Sequence, residues 1–411
     1  FSVIDEIRDM KIDGVSGGVS GIPPSMWEGE WSLEEEAQLS EVPRSHDSVW
    51  LFYKGKSIHL SFLSFGSEQE LRRVCQNVYK HNFPGQLSEA NGFKVNEMAD
   101  GSRVVVLRPR FSESWAFFVR KFDVQNAALE QLIQDDNAEL PIGLIRYLVM
   151  GERITAITGA QGSGKTTLLM AMVRYIPAIL PIRVQEMSFE LQLRKIYRDR
   201  NILSLRETET ISGQDGLDIQ KKTDGSVNIL GEVATDPVAA WMVQMAQVAS
   251  LFTLFTHHAK TFRDLVYSLR NSLLKTGVFT NEKVAEQQVV SVINFDIHLR
   301  RDADGHRYIE RITECVPVEQ EEGYPETFRH KTTTEEKMTA FMETMLEYFR
   351  RSTDRPLYVA RNVIEYRDGR YVAVHPLSER SRKEIAACLA GPDQAAFEAF
   401  LAVHWGDSDE N

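Results

Sequence analysis

Residues Gly159 to Thr166 read GAQGSGKT and satisfy the phosphate-loop pattern G-x-x-x-x-G-K-[ST] at every specified position. The pattern has meaning only in one setting, a buried strand that runs into the loop and a helix that leaves it. Gly159, Gly162 and Gly164 carry no Cβ, so the backbone can enter left-handed regions and turn its N–H groups toward an anion. Lys165 is a compact positive charge with reach for the outer phosphates, and Thr166 offers a hydroxyl to Mg2+. Both flanks fit. Arg153 to Thr158 (RITAIT) is rich in β-branched residues and reads as a strand. Thr166 to Ile176 (TTLLMAMVRYI) reads as a helix whose positive end faces the same anion. The candidate nucleotide contacts from this stretch are Gly159, Gly162, Ser163, Gly164, Lys165, Thr166 and Thr167.

A chain of 411 residues holds two or three domains, and 43% hydrophobic with 26% charged residues is the balance of a folded protein. The net charge of −12 argues against broad contact with nucleic acid. Cys75, Cys315 and Cys388 are far apart, with neither metal spacing nor a disulfide framework, which points to a reducing compartment. No signal-peptide pattern is visible, and the first residue is Phe rather than Met. Ala239 to Thr256 is uncharged and nearly long enough to span a bilayer. Gln244, Gln247, Ser250, Thr253 and Thr256 weaken that reading. Asp236-Pro237 ahead of it signals a helix start, with Asp236 as N-cap, so a buried helix followed by a buried strand is expected.

Four regions follow along the chain. Residues 1–122 read as an N-terminal α+β domain. A hairpin over Val49 to Phe65 turns at Lys54-Gly55, and a helix over Ser67 to Phe83 opens on a Ser67/Glu70 capping box. A second strand pair turns at Asp100-Gly101. Arg103, Arg108, Arg110, Arg120 and Lys121 gather at the end of this region and, taken alone, read as a solvated face. Residues 123–141 are polar and acidic and read as a linker with one helical stretch. Residues 142–320 alternate strands and helices, as a parallel sheet covered on both faces does. The expected strands are Arg153–Thr158, Ile182–Gln185, Val227–Leu230, Leu251–Thr256, Phe295–Arg300 and Tyr308–Thr313, the last two around Asp304-Gly305. Residues 321–411 read as a C-terminal α+β extension without evident chemistry. Its first helix has a Thr332/Glu335 capping box and an apolar stripe (Met338, Phe341, Met342, Met345, Phe349) expected to be core; a hairpin at Asp368-Gly369 and two helices complete it. The fold class is thus α/β, a P-loop NTPase (RecA-like) core with an N-terminal α+β domain and a small C-terminal α+β extension.

Open α/β sheets bind ligands beyond the carboxyl ends of their strands. The phosphate loop follows the first strand of residues 142–320, Glu186 the second, Glu232 the third, and His257 and His258 the fourth. A cationic clamp, two carboxylates and a histidine pair at matching strand ends make a coherent phosphoryl-transfer site. Glu232 is assigned to Mg2+ or to the attacking water, and Glu186 to a similar role. A histidine near the γ-phosphate can sense its presence.

Four ordered boxes resemble the type II/IV secretion ATPase superfamily, over about residues 10–315 and nearest the Tad pilus or conjugation branch. GAQGSGKTTLL is similar to its Walker A, VQEMSFELQL to its Asp box, NILGEVATDP to its atypical Walker B, and FTHHAKTFRDLVYSL to its His box. LSEANGFKVNEMADGSRVVVLRP and WAFFVRKF resemble the segments that bring arginines to the nucleotide. The resemblance implies ATP and Mg2+ as cofactors. Lys165, Glu186, Glu232 and His258 would be the catalytic set, Thr166 and Glu232 would hold the metal, and Arg103, Arg120 and Arg263 would be further nucleotide contacts. It also implies a homo-hexamer with nucleotide between the two domains of a protomer, working in the cytoplasm against an inner-membrane platform protein of a pilus or secretion machine; the acidic balance adds the expectation of no direct nucleic-acid contact. Three positions depart from the pattern: Met187 for an Asp, Ala234 for an Arg and Lys260 for an Asn, while Glu186, Glu190, Glu232 and His258 are retained. A slow ATPase is compatible with these changes. The alternatives are an ATP-binding assembly or regulatory subunit with little turnover, and a nucleic-acid translocase.

Overall fold

A computed structural model describes residues 12–20, 44–53, 56–82, 84–121, 127–208, 211–248, 250–318, 330–353 and 356–406. The expected turn at Lys54-Gly55 and the expected boundaries at 122/123 and 320/321 lie outside the described residues. Two compact units form. One gathers Phe1–Gln125 with Glu186–Ile196 and Ala303–Gly305, and the other gathers the remainder.

The first unit is a six-stranded antiparallel sheet backed by one long helix. Its strands are β1 (Gly14–Gly17), β2 (Val49–Tyr53), β3 (Lys56–His59), β4 (Phe93–Glu97), β5 (Arg103–Leu107) and β6 (Ala116–Arg120), ordered β3-β2-β1-β6-β5-β4. Helix α1 (Glu68–Val78) starts where Ser67 accepts a hydrogen bond from the Glu70 N–H, as the sequence indicates. It buries Leu71, Cys75 and Val78 against Val104, Val106, Phe117 and Val119 of the sheet. Each such side chain contributes about 2 kcal/mol of apolar burial. One detail differs from expectation: the strand after the first hairpin stops at His59. The stretch GVSG, for which the sequence carried no expectation, is a central strand. A Cβ on Gly14 would sit 2.2 Å from the Val119 carbonyl, so glycine there lets β1 close onto β6.

The second unit is a nine-stranded sheet ordered β15-β14-β13-β12-β7-β11-β10-β8-β9. Its strands are β7 (Thr155–Gly159), β8 (Ile182–Glu186), β9 (Ile202–Arg206), β10 (Val227–Leu230), β11 (Phe252–His257), β12 (Phe295–Arg301), β13 (Arg307–Pro317), β14 (Tyr358–Arg367) and β15 (Arg370–Ala373). From β12 through β7, β11 and β10 to β8 the pairing is parallel, and β7, β8, β10 and β11 are buried along their whole length. Burial on both faces is why these strands read as apolar runs rather than alternations. The uncharged stretch splits as expected into a helix, α6 (Asp236–Val248), and β11. That helix begins at Asp236 itself, so Asp236 is not its N-cap. Among the described residues no helix is long and apolar enough to cross a membrane.

The stretch 123–141, polar in composition, is folded where it is described. Helices α2 (Leu129–Leu132) and α3 (Glu139–Met150) bury Leu129 and Leu140, and the Asp135 carboxylate accepts from Tyr366 Oη at 3.0 Å. The C-terminal strands β14 and β15 continue the sheet antiparallel to β13, and Asp368 (φ 50°) with Gly369 (φ 84°) makes the expected left-handed hairpin turn. Tyr147 of α3 packs against Phe397 of the last helix (Gly391–Trp405), with ring centroids 5.0 Å apart and planes tilted by 54°.

The long C-terminal helix, α9 (Thr334–Thr353), forms, but its capping box is Thr333/Glu336, one residue later than the sequence indicates. Its stripe is not core. Met338, Phe341, Met342 and Phe349 are exposed, and among the helix residues whose burial is described Ala340 is the buried one.

Candidate nucleotide site

The site begins where β7 ends. Gly159, Gly162 and Gly164 have φ of 139°, 76° and 100°, so each glycine of the motif occupies a conformation closed to other residues. A Cβ on Gly159 would also lie 2.3 Å from the Leu299 carbonyl of β12. Gly164 leads into helix α4 (Lys165–Met172), with Thr166 and Thr167 half-buried in its first turn. Arg307 Nε donates to the Gly162 carbonyl at 3.0 Å.

Lys165 is buried and donates from Nζ to the carbonyls of Gly159 and Ala160, both at 2.9 Å. Nζ also lies 3.3 Å from His258 Nδ1, and His258 Nε2 lies 3.1 Å from Glu232 Oε1. An ammonium has no lone pair, so Nδ1 accepts from it and the Nε2–H donates to Glu232. The three residues come together because β7, β11 and β10 are adjacent and parallel, which brings the segments after them to one edge of the sheet. Burial lowers the Lys165 ammonium to about 8, against the pull of the Glu232 charge. His258 is exposed, and the neighbouring His257 is not. It is buried, with Nε2 3.2 Å from Ser268 Oγ, and burial, with the charges of His258 and Lys165, holds it down at about 4.

Glu186 ends β8 and is buried, its Oε1 accepting from the Leu191 N–H at 2.8 Å. Burial pushes its carboxyl up to about 8, so at neutral pH it holds a proton and is an acid rather than a base. Arg103 and Arg120 face each other across β5 and β6, and Arg103 Nη1 meets Glu190 Oε1 at 2.6 Å. Arg263 is exposed at the start of α7 (Phe262–Lys275) and bonds the Tyr267 hydroxyl at 2.9 Å. Met187 and Ala234 are exposed, and the Lys260 carbonyl accepts from Arg311 at 2.8 Å.

Sequence reasoning missed Arg307, Arg311 and a buried polar group directly beneath the loop. Thr158, Asp296 and His298 meet there, with Thr158 Oγ1 2.7 Å from Asp296 Oδ1 and 2.8 Å from His298 Nδ1. Their signal was available. FDIHLR places Asp and His at period two inside a strand flanked by apolar positions, so both face one side of a buried sheet.

The residues present fit Mg2+ and ATP. Ser163 Oγ is buried within the loop and has no hydrogen-bond partner among the described residues, and the glycine backbone leaves space that a Cβ would fill. Thr166 and Glu232 offer the hard oxygen donors that Mg2+ prefers.

Fold and loop together define a P-loop ATPase fold of the kind found in secretion and pilus ATPases. In particular, the structure is similar to the pilus retraction motor PilT with bound ADP, at 15% identity and TM-score 0.52 over 85% of this chain and 88% of that one. It is also similar to the ATPase DotB of Legionella pneumophila (15% identity, TM-score 0.50, 83% and 85% covered) and of Yersinia pseudotuberculosis (12%, 0.52, 97% and 92%). No family model and no curated protein matches the sequence.

Proposed function

We propose that this chain is an ATP-hydrolysing motor of a secretion, Tad or type IV pilus, or conjugation machine. It works as a homo-hexamer on the cytoplasmic side of the inner membrane, against a platform protein of that machine. The observation that carries the ATPase reading is the contact chain Lys165–His258–Glu232 at the mouth of a fully formed phosphate loop. Bound Mg·ATP supplies the phosphoanhydride bond whose hydrolysis drives the conformational change. The loop N–H groups and Lys165 hold its phosphates, and Thr166 with Glu232 holds the metal. Glu232 orients the attacking water, and His258 ties that carboxylate to the lysine, so that displacement of the Lys165 ammonium is felt at Glu232. Steady-state phosphate release tests this: Lys165→Ala should fall to background, and a wild type indistinguishable from Lys165→Ala would reject the ATPase.

A second reading, an ATP-binding assembly or regulatory subunit with little turnover, draws on the protonated, buried Glu186 and on Met187 and Ala234 at departing positions. Binding of ATP without a single turnover would favour it. A nucleic-acid translocase requires salt-sensitive binding of single-stranded DNA, which a net charge of −12 opposes.

A further inference from the structure

The glycines that let the phosphate loop reach its shape supply no side chain to hold it there, and glycine gives up more conformational freedom on ordering than any other residue. The hold must come from outside the loop. It comes from the hairpin of β12 and β13. There the Asp302 N–H donates to the His306 carbonyl at 2.9 Å, and Arg301 and Arg307 stand opposite each other in register. Side chains opposite each other in an antiparallel pair lie on one face, and both of these reach the loop. Arg307 Nε donates to the Gly162 carbonyl at 3.0 Å, and its Cδ lies 3.7 Å from where a Cβ on Gly164 would stand. Arg301 Nη1 lies 3.5 Å from where a Cβ on Gly162 would stand. The Arg307 side chain is exposed, and among the described residues the Gly162 carbonyl is its one polar partner.

A trans peptide unit is planar, so its C=O and N–H point in opposite directions. With the Gly162 carbonyl drawn to Arg307 on one side, the Ser163 N–H of the same unit points to the other, where it meets the Ala160 carbonyl at 3.3 Å. That carbonyl also accepts from Lys165 Nζ at 2.9 Å, so the Ser163 N–H is turned to the side of the loop on which the lysine lies. At 3.3 Å the turn bond is long for N–H···O, and a phosphate oxygen, being charged, is the stronger acceptor. Arg307 also polarises the peptide, since a cation that donates to a carbonyl makes the N–H of the same unit a better donor. Finally, Arg301 and Arg307 are like charges directly opposite each other, which repel, and an anion in the loop relieves that repulsion.

We propose that Arg307 is a positioning residue of the phosphate loop. Its Nε–H keeps the Gly162 carbonyl turned away from the anion, which keeps the Ser163 N–H turned toward it, and affinity for the polyphosphate depends on that bond. This role rests on the loop being an ATP site. It adds to that site a residue from another strand, one that grips the loop from outside and touches neither phosphate nor metal.

The test is Mg·ATP affinity for the wild type, Arg307→Gln and Arg307→Met. Glutamine carries its amide nitrogen as many bonds from the backbone as arginine carries Nε, so it can donate to the Gly162 carbonyl without a charge. Methionine has a similar length and no donor. Arg307→Met should bind roughly 10- to 100-fold more weakly than the wild type, the worth of a hydrogen bond from a charged donor, and Arg307→Gln should bind roughly three- to tenfold more tightly than Arg307→Met. The two variants carry the same charge, so long-range attraction for the nucleotide cancels between them. Equal affinity of the Gln and Met variants, both weak or both at the wild-type level, overturns the proposal. Hydrogen exchange at the Ser163 amide without nucleotide separates this role from the ATPase reading. Exchange should be slowest in the wild type and fastest in Arg307→Met. If that order is found and no ATP binds, the ATPase reading fails and the grip of Arg307 on the loop stands. If the three proteins exchange alike, the grip fails, whether or not ATP binds.

Discussion

Glu232 faces His258 at 3.1 Å and is also the carboxylate proposed to serve the metal or the water. Glu232→Gln keeps the size and removes the charge, so phosphate release should drop by about 10²–10⁴, the usual worth of a positioned acid or base, with ATP still bound. Binding unchanged and turnover unchanged would move the role to another residue. Lys165 is cationic below about 8 and neutral above it in the free protein. Mg·ATP affinity should therefore weaken as pH rises past 8, and a titration at two pH values on either side reads this directly. Much of this contact set was legible: GKT pointed to the lysine, and the rule that ligands lie beyond strand ends pointed to Glu232 and His258, which the structure brings into one contact chain. What was not legible depended on contacts across the sheet. Asp296 and His298 lie about 140 positions from Thr158 in sequence, as their separations of 138 and 140 record, and no local pattern connects them. Glu186 was found, but its burial and protonation were not, because a carboxylate in sequence carries no sign of its solvation.

At the scale of elements, spacing located strands well and ends poorly. Val227–Leu230 is as expected, while β13 runs on to Pro317 and the capping box of α9 moved by one residue because Thr332, Thr333 and Thr334 are equivalent candidates. The apolar stripe of α9 shows the limit of periodicity, which fixes a helix face but not whether anything covers it. Helix α7 offers a cleaner check. Thr261 caps it by accepting from the Asp264 N–H at 3.1 Å, so Thr261→Ala should cost about 1 kcal/mol in urea unfolding. Because this cap closes the His-box segment, the variant should also lower ATP turnover. A stability loss within error would show that the cap contributes nothing.

On the scale of the whole chain, residues 321–411 read as an appendage because they carry no chemistry, yet β14 and β15 complete the same sheet as the phosphate loop. Composition cannot reveal that. A hairpin signal says that two strands pair, not which sheet receives them. Phe397 of the last helix is fully buried and packs against Tyr147, so Phe397→Ala should destabilise by about 3–5 kcal/mol. If the extension is part of the second unit, that loss should lower the unfolding midpoint of the phosphate loop too, read by hydrogen exchange at Lys165 to Met172. Exchange there unaltered by the substitution would mean that the extension unfolds on its own.

The central claim is that one glycine-lined loop, with Lys165 at its base, takes a nucleoside triphosphate. Calorimetric titration of Mg·ATP into the wild type and Lys165→Ala tests it most directly. The account predicts saturable binding in the wild type, weakened by roughly 100-fold in the variant, which is about 3 kcal/mol for truncating one partner of a buried charge pair. No binding heat in the wild type, or equal affinity in the two proteins, would contradict it.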